Sequence, residues 1–165
     1  MAELIEAYLD IETTGLSPGN DAITVIGIYI SNGKSSKLIQ LVGDNATRDN
    51  LMDALEDVDL IYTYNGSRFD LPFIEMALGV DIMRSHRHHD LMMDCWHNNL
   101  YGGFKAVQDR LGIARQCQDV NGLEAIRLWW QYQNYQDEEA LQRLLEYNEE
   151  DVVNLKALNE KLCVR

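Results

Sequence analysis

Between Leu4 and Thr13 the chain alternates with a period of two. Ile5, Ala7, Leu9 and Ile11 are apolar, and Glu6, Tyr8, Asp10 and Glu12 between them are not. Successive side chains of a β-strand point to opposite faces. The stretch therefore predicts a strand with one apolar face against a core. The same register puts Asp10 and Glu12 on one face, two residues apart. Thr13-Thr14-Gly15-Leu16-Ser17-Pro18-Gly19 then turns the chain. Two carboxylates side by side repel, and near a core they also lose water. A hard divalent cation relieves both costs, because Mg2+ and Mn2+ prefer oxygen ligands. The competing reading is a strand whose acidic face is solvated, and for Asp-x-Glu alone that reading is the stronger. The decision rests on what other segments bring to this face.

The segments that follow predict a mixed sheet covered by helices. Asp21 to Ser31 is rich in β-branched residues and reads as a second strand, and Asn32-Gly33 is a hairpin turn signal. Lys37 to Val42 completes a three-stranded antiparallel meander. A helix over Asn45 to Glu56, a strand over Leu60 to Tyr64, and a helix from Phe69 or Asp70 to Leu78, stopped by Gly79, come next. A short strand lies near His86 to Leu91. Helices are predicted over Phe104 to Leu111, Leu123 to Tyr132 and Asp137 to Leu162. Three antiparallel strands followed by alternating helices and strands give an α/β fold on one mixed sheet. No linker or repeat divides residues 1–165, so a single domain is expected.

Two more acidic features fall in this pattern. Asp70 stands at a strand-to-helix junction, where open α/β sheets bind ligands. Alone it reads as a helix cap: Asp is a preferred N-cap, Pro72 suits a first turn, and Ser67 and Asp70 have capping-box spacing. Asp151 lies inside the apolar stripe of the last helix, with Leu144, Val152, Leu155 and Leu158, and Tyr147 precedes it by one turn. Glu149 and Glu150 point elsewhere and read as solvated. A carboxylate in a buried stripe is costly unless paired, and neither Arg143 nor Lys156 reaches Asp151 along the helix. On that reading Asp151→Asn leaves the metal-free chain at least as stable as the wild type.

Charge narrows the functional classes. Asp and Glu number 27 against 14 Lys and Arg, a formal net charge of −13. A chain that only coats nucleic acid is expected to be basic, since phosphate neutralisation supplies most non-specific affinity. Enzymes that engage phosphates through metal ions escape that requirement. Arg84, Arg87, Lys105, Arg110 and Arg115 are concentrated in one segment. The N-terminal residues lack a signal peptide pattern, no apolar run is long enough to span a membrane, and Cys95, Cys117 and Cys163 form neither a disulfide framework nor a Cys-x-x-Cys site. A cytoplasmic protein is expected.

In order, Leu9-Asp10-Ile11-Glu12-Thr13-Thr14-Gly15, the Tyr64-Asn65-Gly66-x-x-Phe69-Asp70 stretch and Tyr147 to Asp151 resemble the three motifs of the DEDDy branch of DnaQ-like 3′→5′ exonucleases. The form is most similar to the exonuclease domain of family B DNA polymerases and to stand-alone ribonuclease H-like (YprB-type) proteins. His89-Asp90-Leu91 and Arg110-Leu111-Gly112-Ile113 add to the likeness. The resemblance implies a ribonuclease H-like fold with a five-stranded mixed sheet. It implies two Mg2+ or Mn2+ ions: Asp10, Glu12 and Asp151 on the first, Asp10 and Asp70 toward the second, and Tyr147 orienting the attacking water. Thr13, Asn65 and Phe69 would touch substrate. The implied activity is release of nucleoside monophosphates from the 3′ end of single-stranded DNA or RNA, with a protein partner as a possible source of substrate and no membrane involved. Two alternatives stay open: an inactive nucleic-acid- or partner-binding module on the same fold, and a structure-specific endonuclease.

Other features carry less. His86, His88, His89, His97 and Cys95 match no standard zinc spacing. Trp129, Trp130, Tyr132 and Tyr135 are suited to base stacking, but at helical spacing at least one of the two Trp residues belongs in the core. Asp90 is placed to cap the helix that follows it or to add a fifth acidic contact.

Overall fold

The computed structural model describes residues 2–164. The predicted meander forms from β1 (Glu6–Thr13), β2 (Ile23–Ser31) and β3 (Ser36–Val42). A 3-10 turn at Gly43–Asn45 leads to α1 (Arg48–Ala54), β4 (Leu60–Thr63), α2 (Asp70–Leu78), α3 (Ile82–Ser85) and β5 (Arg87–Asp90). Four helices follow: α4 (Leu91–His97), α5 (Phe104–Leu111), α6 (Gly122–Tyr135) and α7 (Glu138–Cys163). The strand order is β3-β2-β1-β4-β5. β2 lies antiparallel to β1 and β3, while β4 runs parallel to β1 and β5 parallel to β4. This is the mixed sheet covered by helices that the sequence predicts, with the five strands that the ribonuclease H-like resemblance implies.

The order makes β1 central, and that position settles which reading of its acidic face holds. Ala7, Leu9 and Ile11 pack with Ile26 and Ile28 of β2 beneath Leu51 and Leu55 and beneath Phe73 and Ile74 of α2. On the opposite face Tyr8 packs under Leu155 and Leu158 of α7, with Leu91 and Cys95 of α4. Both faces of β1 are therefore covered. Glu12 is only 8% exposed, so the solvated-face reading fails. A third cluster, with Val25, Leu128, Trp129, Leu144 and Tyr147, fastens α6 and α7 to the far part of β2.

Most helix ends follow local chemistry. α2 stops at Gly79, which takes the left-handed conformation (φ +69°) that glycine adopts without strain. α1 begins at Arg48 rather than Asn45, because Thr47 is the cap and its hydroxyl accepts from the Asn50 amide at 3.2 Å. α6 runs past Tyr132 to Tyr135. α3 has four residues and shows no periodicity for a sequence reading to find. Among the described residues no helix is long and apolar enough to cross a membrane, and no disulfide joins the three cysteines.

Candidate functional site

β1 and α7 meet at the C-terminal end of β1. There Asp10, Glu12 and Asp151 each bring a carboxylate oxygen within 4.8 Å of the others. Strand alternation puts the first two under α7, and the helical stripe turns Asp151 down onto them. Glu12 Oε1 is buried and has no hydrogen-bond partner among the described residues. Such an oxygen is normally satisfied, and a bound cation is one way to satisfy it.

Asp70 joins this group by a route the sequence does not reveal. It is the first residue of α2, and no side chain caps that helix. β4 pairs with β1 only as far as Tyr8 and Tyr62. Beyond that point Asp70 Oδ2 accepts from the Ile11 amide at 3.1 Å. The carboxylate thus takes the place of a strand partner, and Asp70 is 4% exposed. Ser67, which shares capping-box spacing with it, is used elsewhere: its hydroxyl donates to Asp90 at 2.5 Å. Asp90 also accepts from the amides of Asn65, Ser67 and Met92 at 2.8, 3.2 and 3.1 Å. It caps α4 and ties the β4–α2 loop to the end of β5, so its contribution as placed is to the backbone of the loop that presents Asp70.

Convergence alters the titration of the group. Burial, then Glu12, Asp151 and Asp70, push the Asp10 carboxyl well above its usual range. Burial and Asp151 do the same to Glu12, against hydrogen bonds from Asp10 and Asn148. Burial raises Asp70 to about 7, although amide donors, Ile11 among them, favour its ionised form. Asp151 is also raised by burial, with Arg115 opposing.

Arg115 corrects the sequence reading of Asp151. A cation does reach it, from the 112–121 connection between α5 and α6 rather than along the helix. Arg115 Nη1 donates to Asp151 Oδ1 at 2.7 Å, with both side chains nearly buried. The same guanidinium lies 3.6 Å from Glu150 Oε1 and donates to Gln108. Glu150 is not merely solvated: it accepts from the amides of Gln116 and Cys117 at 2.6 and 3.1 Å and so holds the segment that carries Arg115.

Tyr147 is 7% exposed, with Lys105 Nζ 5.0 Å and the Arg115 guanidinium 5.7 Å from its ring centre. Burial and Asp151 raise its hydroxyl above the normal phenol range. It is a neutral hydrogen-bonding group and not a base. Beside it opens a cleft of about 360 Å3 lined by Asp10, Tyr64, Phe104, Lys105, Tyr147 and Asp151. Tyr64 and Phe104 lie with ring centres 5.1 Å apart, and the Tyr64 hydroxyl donates to the Gly102 carbonyl. Tyr64 opens the second motif stretch, whereas Phe104, Lys105 and Arg115 carry no signal in the sequence beyond the basic bias of the segment that holds the two cations.

The three residues expected at substrate are placed differently from one another. Thr13 donates to the Gly15 carbonyl at 2.6 Å, inside the β1–β2 turn. Asn65 takes a left-handed conformation (φ +60°), and its buried Oδ1 has no partner among the described residues. The Phe69 ring packs edge-on to Phe73 and joins the apolar cluster. Of the histidines, His88 faces the Thr63 hydroxyl and His89 pairs with Asp94. The Asp10, Glu12 and Asp151 group is the sole metal-type cluster among the described residues. Trp129 is buried and Trp130 is exposed, as the helical spacing predicts.

The sequence profile of the RNase_H superfamily matches residues 7–163. The family B DNA polymerase from the hyperthermophilic archaeon Pyrobaculum calidifontis superposes with a TM-score of 0.73 at 16% identity, over 98% of this chain and 25% of the polymerase. A structure described as the apo form of a nuclease gives 0.62 at 23% identity, over 98% of this chain and 72% of that one. Brucella melitensis NrnC gives 0.61 at 23% identity, over 99% and 74%. The chain thus spans a quarter of the polymerase and about three quarters of the other two. No curated protein sequence matches it.

Proposed function

This chain belongs to the RNase H superfamily, and on that premise we propose that it is a metal-dependent nuclease hydrolysing phosphodiester bonds of single-stranded DNA or RNA from the 3′ end. The observation that carries the reading is the convergence of Asp10, Glu12 and Asp151, with Glu12 Oε1 left unpartnered and with Asp10 and Asp151 lining the cleft beside Tyr147. The donor set is all oxygen, which fits Mg2+ or Mn2+. Asp10, Glu12 and Asp151 would hold one ion, with Asp10 and Asp70 toward a second. Two such ions supply charge stabilisation to both the attacking and the leaving oxygen of an in-line displacement. The DEDDy assignment rests on the order and form of the three motifs, and the 3′→5′ direction only on the resemblance to that family.

The chain's own groups do the rest. Tyr147, held protonated by its surroundings, hydrogen-bonds and orients the attacking water. Tyr64 and Phe104 offer the terminal base a stacking surface, and single-stranded nucleic acids bind proteins through such rings. Lys105 supplies a positive charge in the cleft of a strongly acidic chain, and Asn65 has an unpartnered carbonyl oxygen on the loop before Asp70. The cleft volume lies in the range of small-ligand sites, about 300–1,000 Å3, which suits one terminal nucleotide. One similar structure is described as a nuclease, in keeping with this reading. A single domain over residues 1–165, a cytoplasmic setting and delivery of substrate by a protein partner belong to the same proposal.

The test is digestion of end-labelled DNA and RNA oligonucleotides with Mn2+ and with chelator. Stepwise shortening from the 3′ end supports the proposal. Cleavage of a circular single strand would replace it with an endonuclease. Binding without cleavage would make the chain a binding module.

A further inference from the structure

Asn148 is wholly buried, yet it stands next to Tyr147 on α7, where helical packing calls for an apolar side chain. It lies over Gly27 of β2. A Cβ at residue 27 would come within 2.2 Å of Asn148 Oδ1, so only glycine leaves room. Gly27 is paired with Asp10 on one side and with Gln40 of β3 on the other. Asp10, Gly27 and Gln40 therefore form one row across three strands, and Asn148 spans that row from above. Its Nδ2 lies 3.3 Å from the Asp10 carbonyl oxygen and 3.5 Å from Asp10 Oδ2.

We infer that Gln40 and Asn148 form a positioning relay that keeps an N–H donor aimed at Asp10, an inference that rests on reading that carboxylate as an ion ligand. The direction of the relay follows from its far end. The Leu145 carbonyl oxygen only accepts, and Gln40 Nε2 donates to it at 2.8 Å. The Gln40 amide must therefore present its NH2 group, which also donates to Asn148 Oδ1 at 3.1 Å. With its oxygen so engaged, Asn148 has only its NH2 to turn toward Asp10. A reversed Asn148 would set an amide oxygen against a carboxylate. A backbone carbonyl one turn before Asn148 thus fixes the orientation of two amides and, through them, the carboxylate that both proposed ions would share. Groups behind metal ligands that orient them typically contribute roughly 10- to 100-fold to ion affinity.

The experiment measures the Mn2+ dissociation constant by calorimetry on wild type, Gln40→Met and Gln40→Glu, with urea midpoints taken on the same preparations. Gln40 is half-buried and outside the carboxylate cluster, so both variants are expected to fold where Asn148→Ala, which empties a buried position, need not. Gln40→Met removes the donor that orients Asn148 and should weaken Mn2+ binding roughly 10-fold. Gln40→Glu presents an acceptor instead, reverses the Asn148 amide and should weaken it further. Its added negative charge alone would tighten binding, so the sign separates the two effects. Folded Gln40→Glu with unchanged or tighter Mn2+ binding overturns the relay. A wild type that binds no Mn2+ overturns the metal reading itself, and the relay with it.

Discussion

Asp70→Asn isolates one buried carboxyl and gives a stability change that depends on pH. In the folded, metal-free protein the Asp70 carboxyl titrates at about 7, against 3.8 for the free group. A folded value above the unfolded one means that stability is fully present below about pH 4 and is lost as pH rises through 7. The interval between the two values, at about 1.36 kcal/mol for each pH unit, comes to about 4 kcal/mol. Asn in the same place keeps an oxygen for the Ile11 amide and never ionises, so it loses nothing over that range. Asp10, Glu12 and Asp151 are common to both proteins, and relief of the repulsion between Asp70 and Asp10 and Glu12 acts in the same direction, in favour of the mutant as pH rises. Urea unfolding of both proteins with chelator, from about pH 4 to about pH 8, should therefore show the mutant gaining on wild type by about 4 kcal/mol. By thermal melt this corresponds to roughly 8–16 °C for a domain of this size. Two stability curves that run parallel across that window would refute the argument. Mn2+ should offset the loss in wild type, by about 2.7 kcal/mol at roughly 100 times its dissociation constant.

Four further outcomes are expected. Asp10→Ala or Asp151→Ala should remove nearly all Mn2+-dependent hydrolysis of a labelled oligonucleotide, and full activity in either would mean that the site is elsewhere. Tyr147→Phe keeps the ring and loses the hydroxyl. Its kcat should fall roughly 10- to 100-fold, with the calorimetric Mn2+ affinity unchanged, and a matching loss of affinity would make Tyr147 structural. Arg115→Met leaves Asp151 buried without its cation and should destabilise the metal-free protein by about 3–5 kcal/mol in urea. For the same reason Asp151→Asn is expected to destabilise the metal-free protein, reversing the sign drawn from the sequence alone.

What the sequence reveals depends on how far each signal reaches along the chain. The placement of Asp10 and Glu12 follows from strand alternation, and that of Tyr147 and Asp151 from helical spacing; both periodicities are local, and the residues fall where they predict. The meander, the Gly79 stop and the burial of one Trp of the pair are legible for the same reason. Asp70 shows the limit. Its sequence setting is a good helix cap, but Asp90 claims Ser67 from 23 residues away, and the Ile11 amide claims Asp70 from 59. Arg115 is 36 residues from Asp151 and enters from a connection without periodicity, so a search for a cation along α7 cannot find it. Asn148 reads as part of a motif stretch with no role of its own, because its partners lie on three different strands. Polar groups satisfied through tertiary contacts leave no periodic trace, and in this protein those are the groups that surround the carboxylates.

The Ile11 amide has one more consequence. It belongs to the central strand of the sheet, yet its acceptor is a side chain that titrates near neutral pH. Most amides in such a strand are spectroscopically silent about the chemistry nearby, because a backbone carbonyl does not change state. The Ile11 proton faces a group that does. Its nitrogen and proton resonances should move as Asp70 ionises, with a midpoint at about 7 in chelator, and should move again on addition of Mn2+. The neighbouring amides of Leu9 and Ala7 should stay still. A single backbone signal, present without labels or probes, would then read the protonation and occupancy of the site from inside the sheet.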